Sequence, residues 1–139
     1  MPAHRFTLLS AAFVTLALMT SCQHAPIPPQ QVVYDGGKHS LEFVVVPESS
    51  QMAGRFRHGS ASATSSAEGF VTLQVQAVSS LWPLAYRFEW QGADGMMAMD
   101  PSANAWRRME QDSGHPVVLT GTSTTRFPAH ATLRIRKDH

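Results

Sequence analysis

Short runs of alternating apolar and polar residues constrain the fold of this chain more than any other feature of its sequence. In three of these runs the apolar positions are Val71, Leu73, Val75 and Ala77; Leu84, Tyr86, Phe88 and Trp90; and Ala131, Leu133 and Ile135. Residues two apart lie on the same face of a strand, so each run predicts a half-buried β-strand. Turn-forming residues recur about every eight to fifteen positions. This spacing predicts an all-β, immunoglobulin-like sandwich of six to seven short strands.

Further segments complete the predicted strand set. Leu41–Val46 is a β-branched run that ends at Pro47, and we predict it to be the first strand and an exposed edge for a partner's strand. Trp106–Glu110 and Val117–Thr122 are predicted as two later strands. The stretch of residues 48–68 is rich in Ser, Ala and Gly. It is predicted as a mobile loop, or as one short helical turn.

The N-terminal segment predicts an exported and lipid-anchored protein. Arg5 precedes an apolar stretch from Phe6 to Met19, and two small residues then lead to Cys22. This is the pattern of a secretory signal peptide over residues 1–21. The stretch is too short for a membrane-spanning helix, which needs about twenty residues. The alternative is an ordinary signal with a chance cysteine, which would leave a reactive thiol at an exposed terminus.

The sequence around the cysteine, Leu16-Ala-Leu-Met-Thr-Ser-Cys22, resembles the lipobox of bacterial prolipoproteins. The resemblance implies removal of residues 1–21 and covalent lipid, including palmitate, on Cys22. Two or three acyl chains hold a protein stably at a bilayer, whereas one does so only marginally. Gln23 stands where Asp would retain such a protein at the inner membrane, so the resemblance implies the inner leaflet of the outer membrane, with the domain in the periplasm.

The mature chain is predicted to be a tether followed by one domain. Residues 22–38 contain Pro26, Pro28 and Pro29, which disfavour helix and favour extended chain. Residues 39–139 then form the sandwich, with no disulfide because Cys22 is the only cysteine. Loss of Arg5 with the leader changes eleven Lys and Arg to ten, against ten Asp and Glu. A net charge of zero argues against nucleic acid as a partner.

The order of motifs in the second half of the chain carries a family resemblance. The motifs are Tyr86-Arg-Phe-Glu-Trp90, Asp94-Gly95, a Met run, Pro101, Trp106, Val117-Val-Leu119 and Arg134-Ile-Arg136. Together with the leader, they resemble the YcfL-like family of small bacterial envelope lipoproteins, over roughly residues 69–136. The resemblance implies a sandwich domain tethered in the periplasm and supplies no catalytic residue. Related genes neighbour those of lipoproteins that activate cell-wall synthases, which implies work in the cell envelope.

The Met run is the strongest candidate for a metal site. Thioethers suit Cu(I), so Met96, Met97 and Met99 could bind it with His115 as a nitrogen donor. On a strand Met96 and Met97 point to opposite faces, which opposes a shared site unless the chain bends. Methionine also fills protein cores, and core packing is the favoured interpretation. The scattered histidines lack zinc-site spacing.

Nothing in the sequence indicates an enzyme. The serines form no Gly-x-Ser-x-Gly turn, and the acidic residues near 94–112 lie in or beside turns. Among the aromatic residues, Trp90 and Trp106 are predicted to lie in the core, and Trp82 is a candidate partner contact. The basic residues Arg107, Arg108, Arg134, Arg136 and Lys137 are predicted to mark solvated faces or to meet an acidic partner.

These observations predict a non-enzymatic lipoprotein without a cofactor, whose domain binds another protein of the cell envelope. Two alternatives remain at this stage. One is a periplasmic Cu(I)-binding protein that uses the Met96–Met99 run, and the other is a glycan-binding module that uses exposed aromatic rings.

Overall fold

The computed structural model describes residues 27–80, 83–97, 105–110 and 115–138. This part of the chain forms one short helix and eight strands: β1 (Gln30–Tyr34), β2 (His39–Pro47), α1 (Ser50–Arg55), β3 (Phe56–Ser65), β4 (Val71–Ser79), β5 (Leu84–Gln91), β6 (Arg107–Met109), β7 (Val117–Thr122) and β8 (His130–Lys137). The strands form two sheets, which confirms the all-β sandwich. No helix in the described ranges is both long and apolar enough to cross a membrane.

The larger sheet has the order β1-β2-β8-β5-β6, and the smaller has the order β3-β4-β7. Neighbouring strands are antiparallel except for β2 and β8, which run parallel with Phe43 opposite Ala131 and Val45 opposite Leu133. The predictions that Leu41–Val46 is the first strand and an exposed edge are therefore both wrong, since β1 precedes it and it lies between β1 and β8. β2 is an interior strand whose two backbone edges are both paired. Its near-continuous apolar run is typical of such a strand.

The core lies between the inner faces of the two sheets and follows the predicted alternation. In β5 the inward residues Leu84, Tyr86, Phe88 and Trp90 are buried. The inward residues of β4 and β8 are also buried: Val71, Leu73, Val75, Ala77, Ala131, Leu133 and Ile135. Each strand thus contributes a row of inward side chains spaced two residues apart. The rows of β5 and β8 in the larger sheet pack face to face with the row of β4 in the smaller sheet.

Residues 48–68 are not one long loop, and the alternative of a short helical turn is confirmed for Ser50–Arg55. They begin with α1, where the Ser49 hydroxyl accepts a hydrogen bond from the Met52 amide at 3.1 Å and Met52 is fully buried. They continue as β3, which pairs with β4 and carries an irregularity between His58 and Ala61. The sequence hid this strand because its half-buried inward residues are small and its outward ones are polar.

The predicted tether is shorter than residues 22–38. β1 pairs antiparallel with β2, and a turn at residues 35–38 joins the two strands. In this turn Asp35, Gly36 and Gly37 all have positive φ angles, of 53°, 62° and 86°. The sandwich therefore begins at Gln30, directly after the last proline of the tether, and not at residue 39.

The sandwich has two distinct ends. The helix end consists of α1, the segment before β7 and the last residues of β8; the loop end consists of residues 35–38, 66–70, 92–97 and 123–129. β1 begins opposite Phe43 and runs toward the loop end. The described residues that precede β1, 27–29, therefore lie on its helix-end side.

Candidate partner-binding surface

Three arginines and one tryptophan meet on the outer face of the larger sheet. Arg87 and Arg134 are direct cross-strand neighbours on β5 and β8, and Arg136 lies two residues further along β8. The Trp106 ring lies between two of them, with the guanidinium carbons of Arg87 and Arg136 at 4.7 and 4.0 Å from ring centroids. We call Arg87, Glu89, Trp106, Arg134 and Arg136 the arginine–tryptophan patch.

The prediction that Trp106 belongs to the core is wrong. Arg107 is opposite Tyr86, whose side chain points into the sandwich. The preceding residue must then point outward, because neighbouring side chains in extended chain alternate between faces. Trp106 is accordingly half-buried under two guanidinium groups, whereas Trp90 is buried in the core as predicted.

Glu89 organises part of the patch. Its Oε1 atom lies 2.8 Å from Nη2 of Arg87 and accepts a hydrogen bond from Nε of Arg134 at 2.7 Å. Its side chain is only 11% exposed, so water screens these contacts weakly. Nε of Arg87 is buried and has no hydrogen-bond partner among the described residues. Within that part of the chain Arg136 has no carboxylate partner, so the patch has a surplus of positive charge.

A separate ion-pair group borders the patch. The Arg108 guanidinium contacts Glu110 at 2.7 Å and Asp138 at 3.0 Å. The hydrogen bonds that Arg108 donates to the Glu110 carboxylate are the main cause that raises the pKa of Arg108 above its usual value. These contacts join β6 to the end of β8.

A narrow gap separates the sheets on the side of β6 and β7. It holds a cavity of about 60 Å³ lined in part by Phe88, Trp90, Arg107 and Gly121. Nη1 of Arg107 crosses the gap and donates a hydrogen bond to the Thr120 carbonyl at 3.2 Å. We call this region the β6–β7 gap, and it is continuous with the patch because Arg87 also lines the cavity.

An open groove lies at the helix end of the patch. Its volume is about 550 Å³, and it is lined by Glu48, Ser49, Gln51, Arg136, Lys137 and Asp138. Arg136 thus faces both the Trp106 ring and the groove. The sequence had marked these basic residues as a surface feature, but it had not shown that Arg136 and Trp106 meet.

The structure does not bring the predicted copper ligands together. Met96 and Met97 are exposed at the loop end, where Nε2 of Gln91 donates to Sδ of Met97 at 3.3 Å. His115 precedes β7 at the helix end, and Met99 lies outside the described residues. The described ranges contain no cluster of three or more His, Cys, Asp or Glu residues suited to a metal ion. Copper binding therefore stays a prediction without geometric support.

A group of aromatic contacts at the loop end was not predicted from the sequence. The exposed Phe127 has a φ of 47°, and its ring contacts that of His39 in a tilted arrangement with centroids 4.7 Å apart. His39 in turn stacks on Tyr34 at 5.5 Å. The Tyr34 hydroxyl donates to the Pro128 carbonyl at 3.3 Å. Burial and the neighbouring Asp35 charge raise the pKa of Tyr34. No local pattern signals this group, because the end of β1, the start of β2 and the distant segment before β8 supply its members.

Several predicted sites lie outside the described residues. These are the signal peptide, the lipidation site Cys22, Gln23 and the proposed partner contact Trp82.

Comparison with known proteins supports the fold. No family model matches the chain, and no curated protein matches it. Among solved structures, it is similar to a DUF1425 family member from Shewanella sp. pv-4, with a TM-score of 0.52, 15% identity, and coverage of 83% of this chain and 94% of that one. Cj0090 of Campylobacter jejuni has a TM-score of 0.45 and 16% identity, over 77% of this chain and 97% of its own. At such identity the Shewanella likeness concerns the fold alone.

Proposed function

We propose that this protein is a non-enzymatic, lipid-anchored binding module that attaches to another cell-envelope protein through the arginine–tryptophan patch. The carrying observation is that Arg136 stacks on Trp106 without a carboxylate partner among the described residues. Such a cation is available to an acidic group of a partner. The proposal includes the outer membrane as the site of anchoring and the periplasm as the location of the domain.

The patch has the chemistry of an interaction hot spot. Tryptophan and arginine are enriched among the residues that dominate binding energy at protein interfaces. Glu89 holds Arg87 and Arg134 in place, and Arg87 and Arg136 hold the Trp106 ring between them. Side chains that are already ordered lose less conformational entropy on binding. The surplus positive charge favours a partner surface that carries Asp or Glu.

The short tether supports a partner that lies close to the membrane. Between Cys22 and Ile27, where the described structure begins, the chain advances five residues. At about 3.6 Å per residue, a fully extended segment of this length spans roughly 18 Å. If Cys22 carries lipid, the helix end therefore faces the bilayer at short range. The patch lies on the side of the sandwich, where a neighbouring envelope protein can reach it.

Membership of the YcfL-like family is part of the proposal. It is supported by the motif order in residues 69–136 and by the fold likeness to the DUF1425 family member from Shewanella. The implied relation to cell-wall synthesis then suggests the class of partner, an envelope protein that takes part in building or maintaining the wall.

The test is crosslinking in intact cells, followed by mass spectrometry. We expect one envelope protein to be captured by the native chain and lost, or reduced at least about tenfold, in Arg136→Glu and Trp106→Ala. Arg126→Glu is the matched control, because Arg126 makes the same type of contact with Phe70, at 5.7 Å, at the loop end. Capture should also fall in Cys22→Ala, which removes the proposed anchor. Equal loss in Arg136→Glu and Arg126→Glu would contradict a role for the patch.

A further inference from the structure

Within the described residues, the outer edge of β7 in the smaller sheet has no neighbouring strand. The Ser123 amide donates to the Val71 carbonyl at 2.7 Å, so the inward residues of β7 form the hydrogen-bonded pairs with β4. In an antiparallel ladder the alternate residues direct their amides and carbonyls to the other side. Val118, Thr120 and Thr122 therefore offer a row of backbone donors and acceptors along this edge. Among the described residues, the contact recorded there is the one from Arg107 to the Thr120 carbonyl.

β7 lacks the sequence features that usually prevent an edge strand from pairing with a strand of another protein. It contains no charged residue and no proline, and Val118 is 50% exposed on its outer face. In natural proteins, lysine, proline or a β-bulge on an edge strand discourages pairing with a further strand. The opposite edge of the same sheet differs, because β3 carries an irregularity and lies beside β1. Within the described chain β7 is thus the more open edge.

The β6–β7 gap adds a place for a side chain beside this edge. Its cavity of about 60 Å³ is lined on one side by the rings of Phe88 and Trp90 and on the other by polar groups, those of Arg87, Arg107 and Thr122, and it opens next to Gly121. That volume exceeds the space of one water molecule, about 30 Å³. The Arg107 guanidinium spans the gap by a single bond to a neutral carbonyl, so a carboxylate would be a stronger acceptor for it.

We propose that β7 accepts an extended segment of the partner protein as an additional strand. The segment pairs with the peptide groups of Val118, Thr120 and Thr122, places an apolar side chain in the β6–β7 gap, and carries Asp or Glu for Arg107. This mode is β-strand addition, in which backbone bonds supply affinity and pockets supply specificity. The inference rests on the proposed function and specifies the partner's chemistry, since the patch and the gap share Arg87.

The first test is amide hydrogen exchange on the purified full chain. In the free protein, the amides of Val118, Thr120 and Thr122 should exchange more than about tenfold faster than those of Leu119 and Gly121. The probe is the peptide acetyl-Thr-Val-Glu-Val-Thr-Val-amide. At ten times its Kd it should slow exchange at Thr120 about tenfold. Slow exchange in the free protein, or no slowing at peptide concentrations up to about 1 mM, would overturn the proposal.

Two valine variants provide a matched comparison. Val118→Lys places a charge on the β7 edge and should weaken peptide binding about tenfold. Val33→Lys makes the same change at another exposed valine, on β1 of the larger sheet, and should leave binding unchanged. Thr120→Pro removes one outward amide while the bonds from β7 to β4 remain, and should also weaken binding. Equal effects of the two lysines would refute strand addition at β7.

Failure of this inference is distinguishable from failure of the proposed function. If cells show a partner that is lost in Arg136→Glu but kept in Val118→Lys and Thr120→Pro, the binding function stands and strand addition is wrong. If no partner is captured in cells, the exchange measurement still decides whether β7 accepts a strand, because it needs only the purified chain and the peptide.

Discussion

Replacing Gly121 with alanine would place a methyl group against the ring of Phe88. A Cβ atom built on Gly121 would lie 2.7 Å from Cγ and 3.0 Å from Cε2 of that ring, with Cδ2 closer still. Carbon atoms in normal contact are about 3.5–4.0 Å apart. The ring or the strand would therefore have to move by roughly 1 Å to relieve the overlap.

The surroundings of Phe88 decide how much this movement costs. The ring is buried between Tyr86 and Trp90, with centroid separations of 6.1 and 6.0 Å. Overpacking a close-packed site costs about 1–3 kcal/mol. Alanine in place of glycine in a strand would otherwise stabilise by about 0.5–1 kcal/mol. We therefore expect Gly121→Ala to lower the free energy of unfolding by about 1–2 kcal/mol and the Tm by at least about 4 °C.

Thermal and urea unfolding, followed by circular dichroism, measure this change. Gly59→Ala is the matched control, because its new Cβ would meet Gln76 Cβ at 3.7 Å, an ordinary contact in the neighbouring strand pair. It should be neutral or slightly stabilising. Combining Gly121→Ala with Phe88→Leu should cost less than the sum of the two single changes, because the smaller side chain relieves the overlap. If Gly121→Ala is tolerated as well as Gly59→Ala, the close packing of Phe88 on β7 is refuted.

Three further predictions test other parts of the structure. Glu89→Gln should lower the free energy of unfolding by about 1–3 kcal/mol in urea denaturation, because Arg87 and Arg134 lose a poorly exposed shared carboxylate; an unchanged midpoint would contradict that role. The raised pKa of Tyr34 means that the folded state favours the neutral phenol, so its contribution is present below about pH 10 and is lost as the pH rises through the raised value. Unfolding measured from pH 9 to 12 should therefore show a steeper loss of stability in the native chain than in Tyr34→Phe, and equal slopes would count against it. Met52→Ala should cost about 2–5 kcal/mol in thermal unfolding, since Met52 is fully buried; no effect would mean that α1 is not packed on the core.

The arginine–tryptophan patch and the β6–β7 gap are connected through β6 and the residue before it. Trp106 directly precedes β6, a strand of three residues, and consecutive side chains along this extended segment point to opposite faces. Trp106 therefore joins the patch on the outer face, while Arg107 reaches across the gap to β7. A partner that contacts both would cover the outer face of the larger sheet and the edge of the smaller one.

The inward-pointing residues of β4, β5 and β8 follow from the sequence pattern alone. That information is local, because the period of a strand is two whatever its neighbours are, and burial of one face requires apolar residues at every second position. The alternation over residues 71–77 and 84–90 therefore predicted the core directly. The position at which the tether ends could not be predicted, because β1 follows Pro29 with no turn-forming residues between them.

The pairing of the strands, and the absence of a further strand beside an edge within the described residues, depend on the tertiary structure. Alternation identifies the buried face of a strand but not the strand that pairs with it, so the interior position of β2 and the open edge of β7 could not be predicted from sequence. β3 was hidden because small and polar residues suffice on a partly covered edge strand. Trp106 pointed outward because the register of β6 against β5 is set by pairing across the sheet. The proposed binding surface depends on these non-local pairings, whereas the core depends mainly on the local pattern.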